Sequence, residues 1–253
     1  MCLILFAHRA QAGVNLLLAA NRDEFFVRPT LAAAWWPDHP DILAGRDLQA
    51  GGTWLGVTRS GRFAAITNFR DPASRRDDAP SRGDLVGDFL LGTESPAQYL
   101  GRISAHADRH NGFSLLAGQG DELWFLSNRG NGLMAVQTGV HGLSNHLLDE
   151  PWPKVTRGTA RLARQMPQPF AAESYFKLLA DEEQAPDSEL PSTGIDLERE
   201  RRSSAIRIRD AVYGTRCSTL LRITAAGAVE FHERSFTAAG EVSGTVSHRF
   251  AVR

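Results

Sequence analysis

The sequence predicts a single layered α+β domain, in which β-strands form the core and helices cover it. Two stretches with helical periodicity, beginning after Ser81 and after Pro151, separate segments rich in short apolar runs. The length of 253 residues suffices for a two-layer core with covering helices. We therefore take residues 1–253 as one domain.

The first predicted element is an antiparallel hairpin made by apolar runs at residues 3–7 and 14–20. Short aliphatic runs separated by turn residues are typical of strands buried on both faces. A loop is predicted over residues 25–50, because prolines and glycine punctuate it. Further strands are predicted at 53–57, 63–69, 113–117, 123–126, 133–136, 140–144, 204–208, 218–224 and 228–232. Helices are predicted after Ser81, from Ser95-Pro96, after Pro151 and over 171–179.

The register of the hairpin brings a thiol close to a polar cluster. Residue numbers that pair across an antiparallel hairpin sum to a constant. If His8 lies opposite Val14, Cys2 lies opposite Ala20. The thiol then lies beside the Asn-Arg-Asp-Glu run at residues 21–24, which ends the second strand.

Cys2 has the properties of an N-terminal nucleophile. It follows the initiator methionine, and small second residues generally allow removal of that methionine. The freed α-amine, with a reference pKa of roughly 8, could accept the thiol proton. Arg22 would favour the thiolate, and Asp23 would hold or orient the terminal ammonium. The alternatives are an inert buried cysteine and, for Asn21 and its neighbours, a polar turn.

The order of motifs along the chain resembles one known family. Met-Cys, an apolar strand and Asn-Arg-Asp-Glu at residues 21–24 resemble the NRDE-domain family, also called the transport and Golgi organisation 2 family. The resemblance continues through Gly-Gly-Thr-Trp-Leu-Gly at 51–56, Ala-Ile-Thr-Asn-Phe-Arg at 65–70, Leu-Ser-Asn at 143–145 and Tyr-Gly-Thr-Arg at 213–216. It therefore covers nearly the whole chain.

This family is in turn similar to N-terminal nucleophile hydrolases of the penicillin-acylase and bile-salt-hydrolase kind. The resemblance implies an αββα sandwich, in which two antiparallel sheets stack face to face with helices outside. It implies that Cys2 is the nucleophile and Asp23 the aspartate of the site. Asn68 and Asn145 match two later asparagines, one of which lies in the oxyanion hole.

Two positions depart from the hydrolase pattern or have another interpretation. The hydrolases carry an arginine three residues before the aspartate, where this chain has Ala20, and Arg22 is the nearest substitute. Asn68 is also explained by a turn before Asp71-Pro72. As an oxyanion donor, an amide at Asn68 would stabilise the transition state by a few kcal/mol.

A ligand cleft is predicted beside Cys2, walled by the loop over residues 25–50. Its two adjacent indoles could line a pocket for an apolar ligand, although anchoring the loop on the sheet explains them equally well. A glycine pair after the loop allows a tight turn or a close approach to a ligand. The predicted ligand-contacting residues are Asn21, Trp35, Trp36, Gly51 and Gly52.

Two functions are compatible with these residues. The first is a cysteine hydrolase acting on an amide or thioester of a small apolar acyl substrate, which requires no cofactor. The alternative is a carrier, because members of the resembled family have been linked to haem trafficking and to lipid or acyl-CoA metabolism. Haem would be bound noncovalently, since the chain has no Cys-x-x-Cys-His motif, and eight scattered histidines do not single out an axial ligand.

Composition argues against several other classes. A formal net charge of −1 gives no bulk field that would favour nucleic acid or a membrane surface. Two cysteines make no disulfide framework, and we expect both to be reduced. No signal peptide and no bilayer-spanning run is evident, so a cytoplasmic protein is expected. His106 and His110 have no third partner at metal-binding spacing, and nothing in the sequence predicts the oligomeric state.

Overall fold

The computed structural model describes residues 2–130 and 132–253, and in this part the chain forms an αββα sandwich. A six-stranded and a seven-stranded antiparallel sheet stack face to face, with helices on both outer surfaces. The strands are β1 (Cys2–Gln11), β2 (Val14–Phe25), β3 (Thr30–Trp35), β4 (Ile42–Asp47), β5 (Leu55–Thr58), β6 (Phe63–Asn68), β7 (Phe113–Gln119), β8 (Glu122–Ser127), β9 (Gly132–Ala135), β10 (Gly139–Leu143), β11 (Tyr213–Thr224), β12 (Ala228–Phe236) and β13 (Val242–Ala251). The α-helices are α1 (Arg82–Leu91), α2 (Pro96–Ser104), α3 (Pro153–Gln165), α4 (Ala172–Leu179) and α5 (Leu197–Ser203).

The six-stranded sheet has the order β10-β1-β2-β11-β12-β13 and is buried on both faces at its centre. Ile4 and Phe6 of β1 face the other sheet, whereas Leu3 and Leu5 pack beneath α3 and α4. Because successive strand residues point to opposite faces, a strand covered on both sides needs a continuous apolar run. The run at residues 3–7 meets that need and explains why this hairpin could be predicted.

The seven-stranded sheet is a meander whose strands pair in chain order from β3 to β9. Helices α1 and α2 cover its outer face through Leu85, Phe89 and Leu100. The predicted helix starts are confirmed: the Ser81 side chain accepts a hydrogen bond at the start of α1, and Ser95 forms a capping box at the start of α2.

The predicted register of the first hairpin is wrong by two residues. Cys2 lies opposite Arg22, not Ala20, because the strands extend to a two-residue turn that pairs Gln11 with Val14. A bulge between His8 and Gln11 adds a residue on the β1 side, with Arg9 at a positive φ of 51°. A shift of two keeps every side chain on its predicted face, so the thiol still reaches the polar run.

Three other local predictions are wrong. Residues 25–50 contain β3 and β4, and their prolines lie just outside these strands instead of excluding them. Residues 204–208 form an irregular segment whose buried Ile206 packs under the helices. Strand β13 was not predicted because it is an exposed edge strand with no alternating apolar pattern. In the part of the chain that the structure describes, no helix has both the length and the apolar character needed to cross a bilayer.

Candidate active site

The candidate site is built around Cys2, the first residue of β1, between two neighbouring strands. Arg22 of β2 lies directly opposite Cys2 on one side. On the other side β1 pairs with β10, where Ile4 lies opposite Leu143. Continuing that register by two residues brings Asn145 opposite Cys2, immediately after β10 ends.

Asn145 fixes the main chain of Cys2. Its side-chain Oδ1 accepts a hydrogen bond from the Cys2 main-chain nitrogen at 3.2 Å. Its Nδ2 donates to the main-chain oxygen of Asn68 at 2.8 Å. Asn145 is only 1% exposed, so both bonds are shielded from water. This one side chain therefore links the start of β1 to the end of β6 in the other sheet.

Asn68 lies at the end of β6 and is exposed. Its neighbour Thr67 donates to the main-chain oxygen of Ser144 at 2.7 Å, and Ser144 Oγ donates to the Cys2 oxygen at 3.1 Å. These bonds hold the end of β6 beside the start of β1. Of the predicted site residues, Asn145 contacts Cys2 directly, and Asn68 is joined to it through Asn145.

The thiol of Cys2 is not activated by its surroundings as they stand. Burial raises its pKa above the ordinary value, and the Asp23 carboxylate raises it further. The main-chain N–H of Asp23 and the guanidinium of Arg22 favour the thiolate but do not outweigh burial. A thiol in this setting needs a base to react at neutral pH.

Asp23 lies on the helix-facing side of β2, away from the cavity between the sheets. It is 3% exposed, and its Oδ1 accepts a hydrogen bond from Thr215 Oγ1 at 2.6 Å. Burial raises the pKa of this carboxyl, while the positive charges of Lys154 and Arg22 act to lower it. The Tyr-Gly-Thr-Arg motif noted in the sequence contributes Thr215 to this site.

Lys154 is a residue of the site that the sequence did not point to. It lies in the first turn of α3, is 1% exposed, and its ammonium has no hydrogen-bond partner among residues 2–130 and 132–253. Burial lowers its pKa from 10.5 to about 8, and Asp23 opposes that shift. The sequence feature that could have drawn attention to Lys154 is the scarcity of lysine: of 28 Lys and Arg residues, only Lys154 and Lys177 are lysines.

Arg22 belongs to the cavity and not to the Asp23 side of the sheet. Its guanidinium stacks on the indole of Trp54 at 4.1 Å, and its Nη2 lies 3.6 Å from Asp47 Oδ2. The cavity has a volume of about 250 Å³, counting the part that opens to solvent. Its lining residues are Cys2, Ile4, Ala20, Asn21, Arg22, Trp54, Leu55, Ile66 and Thr219.

Trp35 and Trp36 do not line this cavity. Trp36 is buried on the outer face of the seven-stranded sheet, where its Nε1 donates to the Ala44 oxygen at 3.1 Å. Trp35 packs at the edge of the inter-sheet core, 5.1 Å from the ring of Phe250. Adjacent strand residues point to opposite faces, so the pair cannot form one wall. The indole beside Cys2 is Trp54.

Asn21, Gly51 and Gly52 have structural contacts of their own. The Asn21 Nδ2 donates to the main-chain oxygens of Leu179 and Ile206 at 2.9 and 2.8 Å, which ties β2 to the helix layer. Gly51 has a φ of 81° in the turn, and neither glycine lines the cavity. A Cβ on Gly52 would lie 2.6 Å from the carbonyl carbon of Gly83, so the space beside Gly52 is filled by the start of α1.

The described residues contain no cluster of three or more His, Cys, Asp or Glu side chains that could hold a metal ion. His106 and His110 lie beyond the end of α2 at Ser104, so they do not share a helical face. Cys2 and Cys217 are free thiols. Cys2 and Cys217 lie on opposite sides of Arg22, on the two strands that flank β2. Their Cα atoms are therefore two strand spacings of about 4.8 Å apart, which is too far for a disulfide.

Comparison with known proteins identifies the family. A family model described as "Transport and Golgi organisation 2" matches residues 1–238. The chain belongs to the transport and Golgi organisation 2 family. It is 35% identical over 276 residues to the Transport and Golgi organization protein 2 homolog of Bos taurus, with 100% of both chains covered. It is 27% identical over 263 residues to the Drosophila melanogaster protein, covering 94% of this chain and 93% of that one.

Solved structures share the fold of this family member. The Caenorhabditis elegans N-acylethanolamine-hydrolyzing acid amidase ortholog aligns with a TM-score of 0.52 at 9% identity, covering 88% of this chain and 92% of that one. A Cys-to-Ala mutant of the conjugated bile acid hydrolase from Clostridium perfringens aligns with a TM-score of 0.51 at 9% identity, covering 98% and 92%. Both are N-terminal nucleophile hydrolases, and the αββα sandwich implied by the sequence resemblance is confirmed.

Proposed function

We propose that this protein is a cysteine hydrolase of the N-terminal nucleophile type, which cleaves an amide or thioester of a small apolar acyl substrate. The observation that carries the proposal is the hydrogen bond from the Cys2 main-chain nitrogen to Asn145 Oδ1. Removal of Met1 would turn this nitrogen into an α-amine. Asn145 would then hold the base of the reaction beside the thiol that it must deprotonate.

The raised pKa of the Cys2 thiol supports the need for such a base. In the proposed reaction the thiol proton passes to the α-amine while Sγ attacks the substrate carbonyl. The resulting ammonium gives its proton to the leaving amine or thiol as the carbon–nitrogen or carbon–sulfur bond breaks. Water then attacks the acyl-cysteine carbonyl while the α-amine accepts a proton from it. The carbon–Sγ bond breaks, the ammonium returns the proton to Sγ, and a carboxylic acid is released.

Asn68 is the proposed oxyanion donor. It lies at the end of β6, bonded through its main-chain oxygen to Asn145. The Asn145 side chain accepts one main-chain hydrogen bond through Oδ1 and donates another through Nδ2. These bonds fit a positioning role better than the oxyanion role considered for Asn145 from the sequence. Removing such a donor typically lowers kcat by about 100- to 1,000-fold.

The cavity supports an apolar acyl group. Ile4, Leu55, Ile66 and the indole of Trp54 supply hydrocarbon surface around Cys2. The two structural neighbours are an amidase and a hydrolase of conjugates, which supports the reaction class proposed here.

The test is turnover of a panel of acyl amides and acyl thioesters by the wild-type protein, Cys2→Ala and Cys217→Ala. We expect hydrolysis that Cys2→Ala abolishes and Cys217→Ala preserves. Cys217 is the matched control because it is buried beside Arg22 on the far strand. Hydrolysis that persists in Cys2→Ala would overturn the proposal.

Noncovalent haem binding is the alternative ligand function. Among the residues that line the cavity, Cys2 is of a type that ligates haem iron. A haem titration followed by absorbance tests it: a saturable complex lost in Cys2→Ala, with no turnover of any substrate, would favour the carrier.

A reducing cytoplasmic location is part of the main proposal, because a nucleophilic thiol must stay reduced.

A further inference from the structure

Arg22 places a buried guanidinium in the wall of the Cys2 cavity. Its side chain is 5% exposed and lies against the indole of Trp54, 4.1 Å from the ring centre. With the rest of residues 2–130 and 132–253, the guanidinium makes one hydrogen bond, from Nη1 to Thr30 Oγ1 at 3.3 Å. A guanidinium carries five N–H groups, and buried donors are normally satisfied. The cavity beside Cys2 is where an acceptor for the others can enter.

The two carboxylates near Arg22 are bound more closely by other groups. Asp47 Oδ2 lies 3.6 Å from Arg22 Nη2 but 2.6 Å from Arg28 Nε, and its Oδ1 accepts from two main-chain N–H groups. Glu24 Oε2 lies 4.0 Å from Arg22 Nη2, and Glu24 Oε1 accepts from the Phe25 nitrogen at 2.8 Å. Both distances to Arg22 exceed that of a charge-assisted hydrogen bond. The two acids therefore offset its charge in part and leave its donors available for a ligand.

The position of Arg22 along its strand assigns it to one part of a substrate. Cys2 lies opposite Arg22, and the next pair on the same face is Ile4 with Ala20, which pack in the inter-sheet core. An apolar acyl group on Cys2 therefore extends towards Ile4. The guanidinium lies on the other side of this row, against Thr30 at the start of β3. That position places Arg22 beside the leaving group of the proposed reaction.

We infer that Arg22 is a specificity-determining residue, which binds a carboxylate on the leaving group of the substrate. The inference rests on the proposed function and narrows the substrate to an acyl amide or thioester whose released amine or thiol carries a carboxylate. The planar fork of a guanidinium matches a carboxylate through two parallel N–H···O bonds. A phosphate dianion fits less well, because the carboxylates of Glu24 and Asp47 lie within 4.0 Å of Arg22 and repel a second negative charge.

The experiment compares N-octanoylglycine with N-octanoylglycinamide, which differ by one charge and have nearly the same shape. The readout is the ratio of their kcat/KM values in the wild-type protein, Arg22→Gln and Arg46→Gln. Arg46 is the matched control, because its guanidinium lies 4.4 Å over the indole of Trp36 on the outer face of the seven-stranded sheet. We expect a ratio of about 10 or more in the wild-type protein and in Arg46→Gln, and a ratio of about 1 in Arg22→Gln.

The ratio separates recognition of the carboxylate from other effects of the substitution. A purely structural role for Arg22, or an effect on the Cys2 thiol, changes both kcat/KM values by the same factor. We expect the selective loss in Arg22→Gln to fall on the KM of N-octanoylglycine. If Arg22→Gln does not fold, Arg22→Met replaces it, because a methionine also packs well on an indole. A wild-type ratio of about 1, or a ratio that the Arg22 variant leaves unchanged, would overturn the inference.

A binding measurement separates this inference from the hydrolase proposal. In Cys2→Ala, calorimetric titration gives the Kd values of both compounds without turnover. We expect N-octanoylglycine to bind at least ~10-fold more tightly than the glycinamide, and the added Arg22→Gln substitution to remove that difference. If no substrate is hydrolysed but this difference is found, the hydrolase proposal fails and the carboxylate site stands. Equal Kd values, or binding too weak to measure, would overturn the inference even where hydrolysis is observed.

Discussion

The side chain of Asn145 determines where the nitrogen of Cys2 lies, because it accepts from that nitrogen and donates to Asn68 at the same time. We expect Asn145→Ala to lower kcat by about 100-fold, since a small displacement of the base from the thiol is enough for that loss. The control is Asn15→Ala, whose exposed Nδ2 donates to the Gly120 oxygen at 3.0 Å. Equal kcat values for the two variants would mean that Asn145 does not position the base.

The buried ammonium of Lys154 predicts a pH dependence of stability. Its pKa falls from 10.5 to about 8 on folding. Between these values the unfolded chain binds the extra proton, so the free energy of unfolding rises as pH rises through this window. Relative to Lys154→Met, the wild-type protein should gain up to ~3 kcal/mol between pH 8 and pH 10.5. Urea unfolding of both proteins across this window measures the difference, and parallel curves would contradict it.

Single residues of the site were predictable to different degrees. Cys2 and Asp23 stand close to a recognisable motif, and Asn145 follows a strand in the expected order. Lys154 gave no such signal, because α3 packs on β1, which is more than 100 residues away in the chain. Local sequence carries no information about such a contact.

At the scale of elements, the contact between the Gly51-Gly52 turn and α1 should be sensitive to added volume. Gly52→Ala places a Cβ 2.6 Å from the Gly83 carbonyl carbon, and we expect it to lower the free energy of unfolding by about 1–3 kcal/mol. Gly87→Ala is the matched control in α1, because its Cβ meets nothing within 4 Å, and it should stabilise by about 0.5–1 kcal/mol. Chemical denaturation checks both; a neutral Gly52→Ala would show that the turn can move away from α1.

The hairpin shows what the sequence could and could not specify at this scale. Two apolar runs predicted both strands and their buried faces. The pairing partner of Cys2 depended on the bulge at Arg9, which no glycine or proline marks. Trp35 and Trp36 were misplaced for a similar reason: once β3 is a strand, alternation sends neighbouring indoles to opposite faces.

The whole molecule joins distant parts of the chain at one edge of the sandwich. The pairings of β1 with β10 and of β2 with β11 bring Asn145 and Thr215 to Cys2 and Asp23. The order of the six-stranded sheet could not be derived from apolar periodicity, because these pairings span more than 100 residues. The family resemblance supplied the layer arrangement, since it rests on motifs spread over nearly the whole chain.

Intact-mass analysis of the protein after incubation with an acyl thioester shows whether Cys2 is an N-terminal nucleophile. In samples quenched with acid during turnover, we expect a mass that lacks Met1 and carries one acyl group, which peptide mapping places on Cys2 and not on Cys217. Cys2→Ala should remain unmodified under the same conditions. A mass that retains Met1, or an acyl group found on Cys217 alone, would show that Cys2 is not the nucleophile.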